Sequence, residues 1–530
     1  MVQLYSRIRL KSLVFVALFF IFGGTVKANN YYVTTVADTG VGSLRAAIDS
    51  SNLNAGLDSI VLQLSAHDTI YLLSPIAVTD SLVISGLACQ NPGISGGHLL
   101  FNGAAIIASS TTKPLTLNYL NFFNCIDTAA SAPGGAVNAH ILHVNYCYFS
   151  GNEAFSNSGS GKGGAIDASN VWVYNSTFSG NTASNHNGTS GSGGAIYSST
   201  LANIYNCTFS FNNSGGSGGA IVSQKAVLSN CTIVNNSAGV KGGGYLSTSD
   251  SVTIANSIIW GNTTLDSAAG VYFAAPVNSG GCNVLQGATD NFNYLTGNSD
   301  ISGTDPMLDT LGYFSGCVPV VPIFCGSVAQ GHASCNGATT TDAEGIAANG
   351  VRDAGAFEIT RPGLGNDTID SIQHGTTADL LNYFNTTGLV YTWYGNFTDS
   401  TQVDTGIYTI IAYNYLGCAD TATVVILYST DTTAIDTITG VSHLSADNFG
   451  FSVFPNPAVT EVNVRITQTY TQPLTIKLFD ATGQVVLVEN KTTGISNFSL
   501  DISGLSDGLY YLQIRSEAAC KSVPVSILNR

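Results

Sequence analysis

The sequence predicts an all-β protein, a parallel β-helix followed by two small β-sandwiches. Three observations predict it. Gly-Gly-Ala-Val starts at Gly134, Gly-Gly-Ala-Ile at Gly163, Gly193 and Gly218, and Gly-Gly-Gly-Tyr at Gly242, in steps of 29, 30, 25 and 24 residues. A second motif follows each one with the same period: FSGN from Phe149 and Phe178, FSFN from Phe209, IVNN from Ile233 and IWGN from Ile259. Between the motifs, apolar positions alternate with variable ones. A shared period makes each repeat one structural unit, and repeats of this length indicate a solenoid.

Each column of the repeat has a reason. Val144, Val173, Ile204, Leu228 and Ile254 occupy one position, and Leu142, Val171, Ala202, Ala226 and Val252 the position two residues earlier. Phe149, Phe178, Phe209, Ile233 and Ile259 occupy a third, while His143, Trp172, Asn203, Val227 and Thr253 vary between them. Period-two alternation marks a strand with one buried face. Recurrence at one phase requires parallel strands stacked in register, each about 4.8 Å above the last. Gly-Gly then makes a tight corner, where φ is positive or a Cβ would clash. Ala and Ile re-enter a strand, with Ile in a narrow interior. Asn152, Asn181, Asn212, Asn236 and Asn262 form a ladder in a second corner, each amide bonding its own coil and its neighbour.

At 530 residues the chain is long enough for several domains. Charged residues make up 9% and 58 residues are Gly, too apolar for disorder and too Gly-rich for a helical fold. A net charge of -16 excludes a nucleic-acid partner, because phosphate binding needs clustered Lys and Arg. Arg7, Arg9 and Lys11 precede an apolar run from Leu13 to Phe22, and Val26-Lys27-Ala28 suits a signal peptidase. Residues 1–28 therefore read as a secretory signal peptide. No later stretch is long and apolar enough to cross a bilayer, so no transmembrane segment is expected in the mature chain.

The repeats carry a resemblance. Gly-Gly-Ala-Ile paired with Phe-x-x-Asn resembles the repeats of chlamydial polymorphic outer-membrane proteins and related bacterial surface proteins, which are right-handed parallel β-helices of the pectin-lyase-like kind. VADTGVGSLRAAIDSSN from Val36 resembles their N-terminal cap, and DTIYLLSPIAVTDSLVISG from Asp68 their first coils. DPMLDTLGYF from Asp305 and TDAEGIAANGVRDAGAFE from Thr341 resemble the closing segment of the choice-of-anchor Q group. The resemblance implies one continuous β-helix over residues 29–358, with about thirteen coils and a length of roughly 60 Å at the inter-strand spacing.

After Glu358 the texture changes. RPGLGNDTID is a break, and alternating stretches from Leu389 and Gly406 fit an Ig-like sandwich over residues 359–428, read as a spacer. A Thr/Asp-rich linker spans 429–448. From 449 to 530, alternating strands with turns at Thr482-Gly483 and Ser506-Asp507-Gly508 make a second sandwich. Phe454-Pro455-Asn456-Pro457, the Asp-x-x-Gly turn from Asp480 and Gly508-Leu509-Tyr510-Tyr511 resemble a type A sorting domain of the type IX secretion system. That resemblance implies passage through the periplasm to the outer cell surface or medium, with the type IX machinery as partner. Pro524 departs from the family pattern, standing inside a usually uninterrupted strand.

The cysteines number 11. Cys147, Cys207 and Cys231 share one column with Ser176 and Ser257, where stacked side chains point the same way and disulfide geometry is poor. Cys317, Cys325 and Cys335, in the closing segment, are the better disulfide candidates. None has metal-ligand spacing with His, so no metal and no cofactor is expected.

A lyase would need an Arg or Lys base, yet no Arg stands between Arg45 and Arg352, and the cations from 100 to 300 are Lys113, Lys162, Lys225 and Lys241. A hydrolase would need paired carboxylates. Asp127, Glu153, Asp167, Asp250 and Asp266 are scattered, with Glu153 and Asp167 alone near each other's coil. His140 and His143 have no acidic neighbour in sequence. No catalytic residue is assigned. The reading is an exported adhesin-like protein that binds a glycan or surface ligand. The alternatives are a polysaccharide lyase or glycoside hydrolase of the same fold, and a purely structural surface component. The expected contact surface is outward-facing: Trp172 and Tyr174, with His143 beneath Trp172 and Tyr205 above Tyr174, forming a flat exposed platform. The competing expectation is that NTASNHNGTSGSG from Asn181 folds back over these rings.

Overall fold

The computed structural model describes residues 28–265, 271–273, 278–286, 299–348, 350–429, 451–455, 458–466, 473–480, 484–491, 497–515 and 520–527. Residues 1–27 of the predicted signal peptide, nearly all of the 429–448 linker, Asn456-Pro457 and the Thr482-Gly483 turn lie outside the described residues. Contacts divide the chain into two compact units, one ending at Thr360 and one starting at Arg361.

The first unit is a parallel β-solenoid with three long sheets and a two-stranded one, Gly161–Lys162 with Gly191–Ser192. The first sheet holds the long strands Val137–Asn145, Ile166–Tyr174, Ile196–Tyr205, Ile221–Ser229 and Tyr245–Ala255. The second sheet stacks ten three- or two-residue strands such as Tyr148–Ser150 and Thr177–Ser179, and the third stacks seven. The register is the one the columns require: Val144 pairs with Val173, Val173 with Ile204, Ile204 with Leu228 and Leu228 with Ile254. All five are fully buried. Phe122, Phe149, Phe178 and Phe209 stack at 4.8–4.9 Å through the second sheet's inner face. Each such ring pair adds about 0.5–1.5 kcal/mol beyond its buried area.

Each corner is built from its own residue type. After the first sheet, Tyr146, Asn175, Asn206, Asn230 and Asn256 take φ between 49° and 53°. After the second, the Asn ladder is continuous: Asn152 Nδ2 donates to Asn181 Oδ1, Asn181 to Asn212, Asn212 to Asn236 and Asn236 to Asn262, at 2.9–3.0 Å. Each of the five, from Asn152 to Asn262, also donates from Nδ2 to a carbonyl of the coil below, as Asn181 does to Phe149 O. At the third corner Gly163 has φ of 61°, and a Cβ on Gly164 would meet the carbonyl oxygen of Gly194. The Gly-Gly pair thus meets two separate demands, one conformational and one steric.

Helix α1, Leu44–Asn52, closes the N-terminal end. Ser43 Oγ accepts from Ala46 N–H at 3.2 Å as its N-cap, and Leu44 and Ile48 are buried against the first coils. Arg45 holds the cap in place through Asp38 Oδ1 at 2.7 Å and Pro75 O at 3.0 Å.

Two expectations are corrected here. The coils number about nine, not thirteen, and end at Ile301–Ser302. Ten stacked strands span about 45 Å. Residues 305–358 add no coils. They run back along the solenoid as a strap, because Val321, Ile323, Ala329 and Ala354 pack on the outward Val234 and Ile258 of the second sheet. Thr177 Oγ1 donates to Pro319 O at 2.5 Å, Asn206 Nδ2 to Thr341 O at 2.8 Å and Ser229 Oγ to Gly337 O at 2.7 Å. The strap is clipped by disulfides Cys89–Cys317 and Cys282–Cys335, so two of the closing-segment cysteines bond to the coils. Cys325 is disulfide-bonded as well. Cys147, Cys207 and Cys231 are free and buried, as their column requires, and so is Cys125, which stands at the foot of the Asn ladder with its N–H donating to Asn152 Oδ1.

In the second unit, residues 361–429 form one four-stranded sheet, with Thr368–Ile372, Ala419–Tyr428, Gly406–Tyr413 and Val390–Tyr394 in that order. The opposite layer is reduced to the Ala378–Val403 bridge and a 3-10 turn, Leu380–Asn382. Residues 451–527 form a three-stranded and a four-stranded antiparallel sheet around Val462, Val464, Ile476, Leu478, Leu512 and Ile514. In both modules a tyrosine hydroxyl reaches back four residues to a backbone carbonyl, Tyr408 to Asp404 O and Tyr510 to Ser506 O. Pro524 stands in Cys520–Ile527, an edge strand, where a missing N–H costs no ladder bond on the open side.

Candidate functional site

The strap leaves the first sheet's outer face uncovered at its centre, and this is the longest regular surface of the solenoid. Alternation along Ile166–Tyr174 buries Ile166, Ala168, Val171 and Val173 and turns Asp167, Ser169, Trp172 and Tyr174 outward. The neighbouring strands add Asn138, His140, His143 and Asn145 on one side, and Tyr197, Asn203 and Tyr205 on the other. All four predicted contact residues are half-buried members of this face. His143 lies beside Trp172 and Tyr174 beside Tyr205, in the predicted register.

Their arrangement differs from a flat platform. The His143 and Trp172 rings stack with centroids 4.7 Å apart and planes at 12°, and Tyr174 and Tyr205 at 5.3 Å and 6°. These spacings are close to the distance between coils, and rings lying flat side by side would overlap at that distance. The rings therefore stand on the sheet and stack along the solenoid axis. Two pairs result, offset by one coil, each hiding its inner faces and presenting outer faces and edges. The segment from Asn181 does not cover them: Thr182–Asn185 pairs in the third sheet and His186 packs edge-on to Phe155.

The surrounding groups set the electrostatics. Burial holds the His143 imidazole below its ordinary pKa, so the ring is neutral at neutral pH. Burial also pushes Asp167 up to about 7, Asp127 adding to the rise and Lys162 opposing it. Lys162 Nζ lies 5.0 Å from the Tyr197 ring centroid. Ser169 Oγ and His140 Nδ1 are 2.9 Å apart. Sequence reasoning placed Asn203 in the variable column beside Trp172 and named Asp167 as a scattered carboxylate, but missed Tyr197 and Asn145 as members of this face. Their signal was present, since both stand on the variable columns of the same strands.

Among the described residues, Asp127, Glu153 and Asp167 do not form a hydrolytic carboxylate pair; Asp266 and the Asp250 side chain lie outside the described residues. Glu153 lies on the third sheet, raised by burial and bonded to Ser184. Asp127 is fully enclosed, and its Oδ1 accepts the N–H groups of Gly103 and Ala129 at 2.8 Å. An enclosed carboxylate cannot reach a glycosidic bond in solvent. Among the described residues no three His, Cys, Asp or Glu side chains form a metal-ligating group.

Solenoid and trailing sandwich together define a modular chain whose long repeat unit carries the candidate face. The sandwich gives the destination. Residues 452–527 match the family described as secretion system C-terminal sorting domain. The chain thus carries a type IX secretion sorting domain and is secreted or held at the outer cell surface. Among the described residues no helix is long and apolar enough to cross a membrane. No curated protein matches the chain.

Proposed function

We propose that the protein is an adhesin-like exported rod that binds a glycan or another surface ligand on the outer face of its first sheet. His143, Trp172, Tyr174 and Tyr205 form the contact, residues 29–358 are the binding domain with a closing segment of the choice-of-anchor Q kind, and residues 359–428 and 429–448 are spacer and linker to the sorting domain at 449–530. One observation carries the reading. The strap covers outward positions of the second sheet's later coils, at Thr177, Val234 and Ile258, while the first sheet keeps two stacked aromatic pairs half-exposed at its centre. Aromatic surface left in water suits the C–H faces of sugars or an apolar partner.

A glycan array probed with the full chain tests this, against a Trp172→Ala, Tyr174→Ala, Tyr205→Ala triple variant. The variant is expected to lose binding while keeping its melting temperature, because the three side chains point away from the core. Undiminished binding by the variant overturns the assignment. A large fall in melting temperature also contradicts it, by giving the rings a packing role.

A further inference from the structure

We infer that the ligand is a neutral hexopyranose chain whose sugar rings seat in two notches, one against the outer face of Trp172 and one against the outer face of Tyr174. The inference rests on the reading of the first sheet as a glycan-binding face, and names the sugar class and its seats.

Each stacked pair has two outer ring faces, and what adjoins each face decides its use. Beyond Trp172 the next coil carries Asn203 and the one after it Val227, both shorter than the indole. Beyond Tyr174, on the opposite side, the neighbouring coil carries Asn145 and the next Asn118. Each of these two faces therefore borders a step with a carboxamide on its floor. A ring face takes the apolar C–H side of a pyranose, and a carboxamide donates to and accepts from its hydroxyls. Asn145 spends one amide proton on Asn118 Oδ1 at 3.0 Å. The other two outer faces lack this combination. His143 borders Thr116, and Tyr205 borders Ser229, whose hydroxyl is bonded to Gly337 O of the strap.

Charge selects against acidic chains. His143 is held neutral by burial, and Lys162 is engaged with the Tyr197 ring and lies beside Asp167. No Arg occurs between Arg45 and Arg352 in a chain of net charge -16, so a polyanion meets repulsion on approach. The two notches are two coils and two residues apart, roughly 12 Å by the inter-strand and along-strand spacings. An oligosaccharide bridges that distance and a monosaccharide does not, so chain length raises affinity through the linked second contact.

Calorimetry of the full chain with cellohexaose, laminarihexaose and mannohexaose, with glucose and mannose, and with hexagalacturonate tests the inference. At least one neutral hexamer is expected to bind about tenfold or more tighter than its monomer, and hexagalacturonate more weakly than that hexamer. Asn203→Phe extends the His143–Trp172 stack by one ring and closes the Trp172 notch with all four aromatic residues intact. It is expected to weaken the neutral hexamer about tenfold or more at unchanged melting temperature. Asn203→Ala, which keeps the notch open and removes its amide, is expected to fall between the two. Binding of none of the neutral hexamers, preference for hexagalacturonate, or full-strength binding by Asn203→Phe each overturns the inference. The last two results, with binding lost in the aromatic triple variant, leave the broader reading of the face standing.

Discussion

At the scale of single residues, the solenoid's corners carry demands that single substitutions expose. Asn181 Oδ1 accepts from both the N–H and the Nδ2 of Asn152, and its Nδ2 serves Phe149 O and Asn212 Oδ1. Asn181→Ala leaves those buried groups without partners, at about 1–3 kcal/mol for each one unsatisfied. Phe211 makes the opposite case. It is 60% exposed at φ of 57°, in a column where Gly151, Gly180 and Gly261 take the same left-handed conformation. A bulky residue there costs about 1–2 kcal/mol that Gly does not. Equilibrium unfolding is therefore expected to show Asn181→Ala destabilised by about 3 kcal/mol or more and Phe211→Gly stabilised by roughly 1 kcal/mol. Two shifts of the same sign contradict this account of the corners.

At the scale of elements, the strap is held by a buried charged cluster. Arg352 Nε lies 3.4 Å from Glu358 Oε2, and Asp342 and Asp353 accept backbone N–H groups of the strap's own turns. Burial pushes Asp342 up to about 6 and Glu358 up to about 7. A carboxyl whose folded pKa is above its unfolded value favours the folded state when protonated. That contribution is complete below about pH 4 and is lost as pH rises through 6 to 7. The melting temperature of the full chain is expected to fall between pH 5 and 8, with a shallower slope in Glu358→Gln. A rise over that range, or an unchanged slope in the variant, contradicts the assignment. The strap also marks where the sequence became silent. Ile204 and its column announced the interior because each coil repeats the same packing problem. Residues 305–358 cross the coils without repeating, Gly337 and Asp353 both reaching the coil of Ser229 and Asn230, and they bond through backbone carbonyls and individual polar side chains, so they carry no period of their own. A signal did exist in the outward positions of the second sheet, where Val234 and Ile258 are apolar on a face expected to meet water. Ring tilt at Trp172 and Tyr174 was illegible for another reason: alternation reports which face a side chain takes, not how its plane stands.

At the scale of the whole molecule, a rigid repeat unit about 45 Å long is joined to a module whose family directs export. The two parts ask different things of the sequence. The solenoid needs recurrence, so it is legible from column statistics alone. The sorting domain has no repeat and was legible through local turns and its Gly508-Leu509-Tyr510-Tyr511 strand, which enters the four-stranded sheet. The central claim is that the solenoid works outside the cell because the last module sends it there. Cells expressing the full chain and a chain ending at Thr439 can be compared by antibody labelling of the solenoid on intact cells, together with fractionation of periplasm and medium. The account predicts the full chain at the outer surface or in the medium and the shortened chain in the periplasm. Equal amounts of the shortened chain outside the cell would contradict it.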